Sequence, residues 1–438
     1  MHLKKIIFLP LIFLVLAFCS KKSHQSGFVK VSGTQFILDS NPYRFVGTNF
    51  WYGAYLGMPE NRGDRGRLLK ELDALHENGI DNLRILAASE LMNHTRGLKP
   101  SMLNSPTEYN QDLLLGLDFL LDEMAKRDMK AVIFLNNFWE WSGGMTVWSE
   151  WFGGKPSIDP SETGDWSGYM NQSAEFYRNE KAQIAWQAFI KLIITRKNSI
   201  NGKVYKDDPT IMAWQLSNEP RPGNGEEGLK HKDAFISWIH ESSKFIKELA
   251  PHQLVSTGNE GIKGSLESAQ LYLDAHKSEY VDYLTFQMWA KNWGWFKADD
   301  MEGTFPASLE NAKSYILEHI SLADSLHKPI VLSEFGLGRD LESLDLKSPV
   351  TYRNRYYQFV FSIIENKIKE GRPIAGSNFW SWGGLGIPKH EDGRWRPGHP
   401  FVGDPPQEPQ GLNSVFASDK STLEIIKKHA EFLQKKSD

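Results

Sequence analysis

Residues 211–220 read Ile-Met-Ala-Trp-Gln-Leu-Ser-Asn-Glu-Pro, an apolar run that ends in the carboxylate of Glu219. Residues 330–336 follow the same plan: Ile-Val-Leu-Ser is followed by Glu334 and then by Phe-Gly. A short apolar run bounded by turn residues is typical of a buried strand. The sequence therefore predicts two buried strands that each end in an acid.

Outward from these two runs, strand-like and helix-like segments alternate along the chain. Strands separated by helices pair in parallel, and eight such units close into a barrel. A doubly wound open sheet is the alternative, but it would need a Gly-rich turn after the first strand, and residues 53–57 do not form one. We predict strands at 45–51, 82–86, 130–136, 211–216, 254–256, 283–287, 330–334 and 374–379. We predict helices at 65–77, 111–127, 173–197, 231–249, 308–326, 351–369 and 422–436, with a weak one at 266–273.

The predicted fold class is thus α/β, a (β/α)₈ TIM barrel with long aromatic-rich loops at the C-terminal face. Residues 28–438 form one domain, because no linker or internal repeat divides them. Residues 28–38 are predicted to form a short N-terminal hairpin that plugs the base of the barrel. The content of hydrophobic residues, 40% of 438 residues, suits a large core.

Composition excludes several classes of protein. The net charge is −4 and no basic stripe is present, so nucleic acid is not expected as a partner. Cys19 is the one cysteine, so no intrachain disulfide can form. The 13 histidines lack metal-ligand spacing and no Gly-rich phosphate loop is present, so we expect neither a metal nor a cofactor. We expect a monomer.

The N-terminus has the pattern of a targeting segment. Lys4 and Lys5 precede an apolar run at 6–18, which is too short to span a bilayer and is typical of a signal peptide. Residues 16–19, Leu-Ala-Phe-Cys, resemble a bacterial lipobox, in which Cys19 would be lipidated. We predict a signal peptide at 1–19, a polar tether at 20–27 and a cell-envelope lipoprotein that touches the membrane only through this anchor. A plain signal peptide, with an incidental cysteine and a secreted product, is the alternative.

Tryptophan placement points to the ligand. In this fold, chemistry lies on the loops after the strand C-termini. Loops are normally polar, so many indoles on one rim indicate a binding cleft, and indole faces suit the apolar C–H faces of sugar rings. Alternatively, these tryptophans could form small apolar cores within the long loops. That interpretation suits a single tryptophan better than it suits twelve. All but three of the 15 tryptophans follow barrel strands: Trp51, Trp139, Trp141, Trp148, Trp151, Trp166, Trp289, Trp293, Trp295, Trp380, Trp382 and Trp395.

The two strand-end acids suggest the chemistry. The fourth and seventh strands lie roughly opposite each other in a barrel, so Glu219 and Glu334 would face each other across the cleft. Cleaving a glycosidic bond needs two carboxyl groups, one to protonate the leaving oxygen and one to attack or to activate water. Arg84, at the end of the second strand, would hold Glu334 ionised. A single strand-end glutamate could equally be a surface charge or a salt-bridge partner.

The segments Asn218-Glu219-Pro220 and Glu334-Phe335-Gly336 resemble the signature of glycoside hydrolase clan A, family 5, and most of all its bacterial endo-β-1,4-mannanases. Residues 47–52, 140–145, 207–212, 291–295 and 403–411 carry the same resemblance. It implies a retaining double displacement, with Glu219 as the acid/base and Glu334 as the nucleophile, about 5–5.5 Å apart. It further implies substrate contacts by Asn218 at the sugar 2-hydroxyl, Trp380 as the floor of the −1 subsite, and Arg84, Trp51, Gln287 and Trp289.

The chain departs from the family at Gln287, where a histidine is usual, while Trp289 takes the aromatic position. An amide can donate and accept hydrogen bonds as neutral imidazole does, but it does not titrate near neutrality. We therefore expect altered rate or specificity rather than inactivity.

The predicted function is a retaining endo-β-1,4-mannanase acting on mannan, glucomannan or galactomannan. A cellulase-like hydrolase of another β-1,4-glycan, or a transglycosylase of the same family, is the first alternative. A glycan-binding lipoprotein on a degenerate barrel is the second. The presence of Glu219, Glu334, Arg84 and Asn218 argues against that second alternative.

Overall fold

The computed structural model describes residues 27–59, 61–389 and 392–435. Its centre is a sheet of eight parallel strands, which run in the order β5-β4-β3-β2-β1-β8-β7-β6. These strands are β1 (Phe45–Asn49), β2 (Asn82–Leu86), β3 (Lys130–Phe134), β4 (Ile211–Gln215), β5 (Leu254–Ser256), β6 (Leu284–Met288), β7 (Ile330–Phe335) and β8 (Ile374–Phe379).

The two edge strands, β5 and β6, approach each other and bring the sheet almost to closure. The backbone N–H of Asp282 donates to the carbonyl of Val255 at 2.8 Å, and that of Gln287 donates to the carbonyl of Glu260 at 2.9 Å. The predicted (β/α)₈ barrel is therefore confirmed. The surrounding helices are α1 (Arg65–Glu77), α2 (Gln111–Lys126), α3 (Glu180–Ile194), α4 (Gly225–Leu249), α5 (Ala269–His276), α6 (Met301–Leu326), α7 (Thr351–Lys369) and α8 (Lys420–Gln434).

The long helix predicted at 173–197 is wrong at its N-terminal end. The structure has a helix at Trp166–Ala174, a 3₁₀ turn at Glu175–Arg178, and only then α3. Asn179 separates them, because its backbone is not helical and its side chain accepts a hydrogen bond from the N–H of Ala182. Such a cap starts a new helix rather than continuing the previous one.

The base of the barrel is plugged from the N-terminal side, as predicted. The plug is larger than the expected hairpin, since Lys30–Ser32, Gln35–Leu38 and Asn41–Tyr43 form a three-stranded antiparallel sheet. Val29 and Phe36 are buried in one apolar cluster with residues of the barrel strands. The plug thus closes the face opposite the strand C-termini. The other members of this cluster are Phe45, Val132, Met212, Ala213, Leu254, Tyr283, Val331 and Ala375.

The loops on the C-terminal face contain their own short elements. Helices at Met145–Trp151, Pro160–Thr163 and Trp166–Ala174 lie in the long connection after β3, and a ribbon pairs Trp382–Gly384 with Val415–Phe416 after β8. Further short elements are the helix Gly53–Gly57 and the ribbon of Leu103–Ser105 with Glu108–Tyr109.

Two sequence predictions concern the region before the barrel. The signal peptide at 1–19 with Cys19, and all but the last residue of the tether at 20–27, lie outside the described residues. Among the helices that the structure describes, none is both long and apolar enough to span a bilayer.

Candidate active site

A cleft of about 820 Å³ opens at the C-terminal face of the barrel. Five of the predicted site residues line it together: Asn218, Glu219, Trp289, Glu334 and Trp380. Its volume lies near the top of the roughly 300–1,000 Å³ range of small-molecule sites. The ends of β4, β6, β7 and β8 therefore converge on one cavity with room for a short oligosaccharide.

Arg84 connects the nucleophile candidate Glu334 to Asn218, the residue before the acid/base candidate. Its Nη1 donates to the Glu334 carboxylate at 2.5 Å, and its Nη2 donates to the side-chain oxygen of Asn218 at 2.8 Å. Its Nε donates to the side-chain oxygen of Gln215 at 2.7 Å, and Nη1 also reaches Asn49 at 2.9 Å. The guanidinium is buried and all three of its nitrogens donate hydrogen bonds, so it fixes Glu334 and Asn218 in one frame.

Asn218 is held at both ends of its amide. Its oxygen accepts from Arg84, and its Nδ2 donates to the side-chain oxygen of Asn137 at 3.1 Å. Asn137 in turn donates to the hydroxyl of Ser142 at 2.9 Å. Asn218 still lines the cleft, so a sugar hydroxyl would meet an amide whose orientation is already set.

Glu219 sits on an unusual backbone at the end of β4. Its φ is +48°, in the left-handed region that side chains rarely adopt. Its N–H donates to the carbonyl of Gly258 at 3.1 Å. A Cβ on Gly258 would lie 1.9 Å from the carbonyl of Ser217, so only glycine allows this approach. The indole N–H of Trp139 donates to the Glu219 carboxylate, which therefore faces the cleft in a defined position.

Glu334 lies 2% exposed at the end of β7. Burial raises the pKa of Glu334 well above its ordinary value of 4.5, the Arg84 guanidinium opposes that rise, and the charges of Glu219 and Glu260 add to it. The predicted ion pair with Arg84 is present. Arg84 therefore acts against burial and against the two neighbouring carboxylates, and the ionised state of Glu334 stays a prediction.

A third acid in the cleft, Glu260, was not predicted from the sequence. Glu260 follows β5, is 4% exposed, and pairs with Arg221, the residue two positions after Glu219. Burial raises the pKa of Glu260 to about 7; Arg221 opposes the rise and Glu219 adds to it. The same rule that singled out the other two acids, a carboxylate just after a barrel strand, would have found Glu260. It was missed although the strand was predicted, because residues 257–259 lie between β5 and the acid.

Three carboxyl groups and two guanidinium groups share this part of the molecule. The acids are Glu219, Glu260 and Glu334, and Arg84 pairs with Glu334 while Arg221 pairs with Glu260. Burial and the neighbouring carboxylates raise the pKa of Glu260 and of Glu334, and each arginine opposes the rise at its own partner. The cluster thus places carboxyl groups in the kind of surroundings that acid/base catalysis uses.

Gln287 is buried beside the nucleophile candidate. It pairs with Glu334 across the β6–β7 ladder. Neither atom of its side-chain amide has a hydrogen-bond partner among the described residues. A buried amide without partners is unusual. Gln287, at the position where a histidine was expected, can therefore still donate and accept hydrogen bonds next to Glu334.

The predicted aromatic contacts divide into two groups. Trp380 and Trp289 line the cleft and meet edge to face, with ring centroids 5.8 Å apart. Trp51 does not line the cleft: it is 1% exposed, and its indole N–H donates to the carbonyl of Gly403 at 2.6 Å. Trp51 supports the wall from behind, since it packs against Trp141, which does line the cleft.

The same division holds for the whole predicted rim. Half of these tryptophans line the cleft, and the other half do not. The second half fits the alternative interpretation, in which the long loops contain small apolar cores of their own. Trp148, for example, is buried and donates to the Glu90 carboxylate at 2.9 Å. The six that line the cleft are Trp139, Trp141, Trp166, Trp289, Trp293 and Trp380. The six that do not are Trp51, Trp148, Trp151, Trp295, Trp382 and Trp395.

The loop after β8 completes the wall. Asp404 anchors it by accepting hydrogen bonds from the backbone N–H groups of Gly411 and Asn413, both at 2.9 Å. Glu408, from the same loop, lines the cleft, and burial together with the neighbouring Asp404 raises its pKa to about 8. This wall is held by backbone contacts, which suits a rigid binding surface.

Within the described ranges, no group of three or more His, Cys, Asp or Glu side chains could hold a metal ion. The arrangement that remains is a pair of carboxyl groups, one bonded to an indole and one to a guanidinium, in a cleft with aromatic walls. Such a pair can perform acid/base and nucleophilic work on an acetal.

Comparison with known proteins agrees with this geometry. A family model described as glycoside hydrolase family 5, β-mannosidase-like, matches residues 26–438. The chain is 28% identical to mannan endo-1,4-β-mannosidase 7 of Arabidopsis thaliana over 84% of this chain and 80% of that one. A crystal structure of a family 5 mannosidase from Rhizomucor miehei is 35% identical, with a TM-score of 0.84 over 93% of this chain and 97% of that one. The endo-1,4-β-mannanase of the same fungus shares the fold, with a TM-score of 0.67 and 22% identity over 93% and 99% of the two chains.

Proposed function

The chain belongs to glycoside hydrolase family 5, in its β-mannosidase-like branch, and from this membership we propose that it hydrolyses internal β-1,4-mannosidic bonds of mannan, glucomannan or galactomannan with retention of configuration. The observation that carries the proposal is the frame around Arg84. One guanidinium holds Glu334 and Asn218 in the cleft that Glu219 also lines.

In the first step, the Glu334 carboxylate attacks the anomeric carbon and the glycosidic C–O bond breaks. Glu219 gives its proton to the departing oxygen, so the leaving chain ends in a hydroxyl and the sugar is esterified to Glu334. In the second step, Glu219 takes a proton from water, whose oxygen attacks the same carbon, and the ester bond to Glu334 breaks. Two inversions give net retention.

The surrounding residues assist by position. Arg84 stabilises Glu334 as an anion in the resting state and as the departing carboxylate in the second step. Asn218 presents an oriented amide to the sugar, and Trp380 presents an indole to its apolar face. Trp139 fixes the Glu219 carboxyl by its indole N–H.

The substrate class is supported by the relatives, which are named for mannan and mannosides. The direct test is the product profile on ivory-nut mannan, glucomannan, galactomannan and carboxymethylcellulose. We expect short manno-oligosaccharides from the first three and little from the cellulose derivative. Equal or faster hydrolysis of the cellulose derivative would favour the cellulase-like alternative. With mannohexaose as the substrate, products longer than six sugars would indicate transglycosylation. Binding of mannan without any product, in wild type and Glu219→Gln alike, would reject hydrolysis altogether.

Removal of terminal mannose units is a second candidate. The 35% identical fungal structure carries the name mannosidase, and a mutant of that enzyme is described in complex with mannosyl-fructose, a disaccharide. Mannohexaose labelled at its reducing end separates the two modes. Internal cleavage gives labelled dimers and trimers at the start of the reaction, whereas terminal cleavage gives free mannose and labelled pentamer.

We also propose that Cys19 carries a lipid and that the protein is a cell-envelope lipoprotein. The plug that follows the tether closes the base of the barrel, so an anchor there would leave the cleft facing away from the membrane. Labelled palmitate should appear on the wild-type protein and be absent from the Cys19→Ala variant. An anchored Cys19→Ala variant would reject the proposal. Light scattering of that variant, if it is released, should give the mass of a monomer.

A further inference from the structure

Trp166 lines the cleft but has no role in the proposed mechanism. Trp166 is 42% exposed and is the one tryptophan among the exposed large apolar residues that the structure describes. It lines the cleft and lies edge to face with Trp139, with ring centroids 6.1 Å apart. Trp139 in turn donates to Glu219. Glu219, Trp139 and Trp166 therefore follow one another away from the reacting bond.

The helix that carries Trp166 is fixed to the barrel. Tyr169 and Ser173, on the helix Trp166–Ala174, both donate to the carbonyl of Phe138, at 3.0 and 2.7 Å. At the other side, the N–H of Asn224 donates to the side chain of Asn171 at 2.7 Å. An indole on such a support loses little freedom when a ligand stacks on it, which favours binding.

Glu140 is a buried acid that also lines the cleft, as does its neighbour Ser161. It is 1% exposed, and neither of its carboxylate oxygens forms a hydrogen bond of ordinary geometry with the described residues. Burial raises the pKa of Glu140 to about 7, while an interaction with the Ser161 hydroxyl opposes the rise. A buried carboxyl group whose hydrogen bonds are poorly formed is stabilised when a ligand hydroxyl supplies a better one.

We propose that Trp166 and Glu140 form a distal subsite for a sugar in the leaving part of the substrate. The inference rests on the proposed function. An exposed indole offers a stacking surface, and a buried carboxyl group without a well-formed hydrogen bond offers a partner for a hydroxyl, the two elements that a pyranose ring needs. The sugar belongs to the leaving part because Glu219 protonates the leaving oxygen and Trp166 lies beyond Trp139 on the side of Glu219. The subsite serves internal and terminal cleavage alike.

The test compares two substrates. Mannohexaose has sugars in its leaving part, whereas 4-nitrophenyl β-mannobioside has a single aryl ring there. For Trp166→Ala, we expect the ratio of kcat/KM on mannohexaose to kcat/KM on the aryl glycoside to fall about tenfold relative to wild type. Trp166→Phe should recover part of the ratio, because it keeps an aromatic face. Glu140→Gln, which keeps the shape of the side chain, should lower the ratio as well.

Ile184→Ala is the matched control, since Ile184 is 67% exposed on α3 and does not line the cleft. That variant should keep the wild-type ratio. A wild-type ratio in both Trp166→Ala and Glu140→Gln would overturn the subsite. Failure of the wild-type protein to cleave either mannoside is a different result, because it would reject the proposed function itself.

Discussion

The Nη1 atom of Arg84 lies 2.5 Å from the carboxylate of Glu334, although burial drives the pKa of that carboxylate upwards. The two effects oppose each other at the residue assigned as nucleophile. Because a nucleophile must be ionised, the acidic side of the pH profile of kcat/KM reports their balance.

Removing the charge of Arg84 should move the acidic limb of kcat/KM to higher pH. Arg84 opposes the rise in the Glu334 pKa, so its loss raises that pKa further and the nucleophile becomes ionised only at higher pH. Arg84→Gln is the test variant, with the pH profile on mannohexaose as the measurement. Arg84→Lys is the control: it keeps the charge but loses the fork to Asn218, so we expect a fall in kcat of about 100-fold with little change of the limb. A limb that moves to lower pH in Arg84→Gln would contradict this account.

Removing the charge of Glu260 should have the opposite effect. The Glu260 carboxylate raises the pKa of Glu334, so Glu260→Gln should lower that pKa and move the acidic limb to lower pH. In Glu260→Asp, which keeps the charge, the acidic limb of kcat/KM should lie closer to its wild-type pH. An unchanged limb in Glu260→Gln would show that this acid does not act on the nucleophile.

Glu219→Ala should separate the acid role from the nucleophile role. Loss of a general acid costs about 10²–10⁴-fold when the leaving group is a sugar, which needs a proton. It costs much less with 2,4-dinitrophenyl β-mannoside in the first step, because that leaving group departs as an anion. Glu334→Ala should lose activity on both substrates. Equal losses on both substrates in Glu219→Ala would reassign the proton donor.

Glu140 should make the protein less stable as the pH rises. Its pKa is about 7 in the folded state and near 4.5 when exposed, so the folded state binds the extra proton between these values. Stability therefore falls from pH 4.5 to 7, by up to about 3 kcal/mol. Glu140→Gln should raise the melting temperature at pH 8 but not at pH 4.5. Glu424→Gln, on an exposed part of α8, should change neither. Parallel melting curves for wild type and Glu140→Gln at both pH values would refute the prediction.

Gln287→His tests the departure from the family pattern. The amide of Gln287 is buried beside Glu334 without partners among the described residues, so it is available to orient a neighbour or a sugar. We expect Gln287→His to change kcat by less than about tenfold, and Gln287→Leu, which cannot form hydrogen bonds, to lower it more. A 100-fold gain in Gln287→His would mean that the natural glutamine impairs this enzyme.

Sequence patterns located the strands well and the loops less well. β2, β5 and β8 have the predicted bounds, because buried strands are short apolar runs, and the acids after β4 and β7 follow from the same runs. Glu260 was missed although the bounds of β5 were predicted, because residues 257–259 separate the acid from the strand. The division of the helix at Asn179 depends on one cap, and the burial of Trp51 depends on Gly403, which lies far away in the chain. Contacts between distant loops leave no periodic signal in the sequence.

The most direct test of the central claim is the configuration of the first product, followed by proton NMR as mannohexaose is hydrolysed by the wild-type protein. If Glu334 attacks the sugar and Glu219 protonates the leaving oxygen, the β-anomer appears first and the α-anomer accumulates later by mutarotation. Initial formation of the α-anomer would mean a single displacement by water, and would contradict the roles assigned to both glutamates.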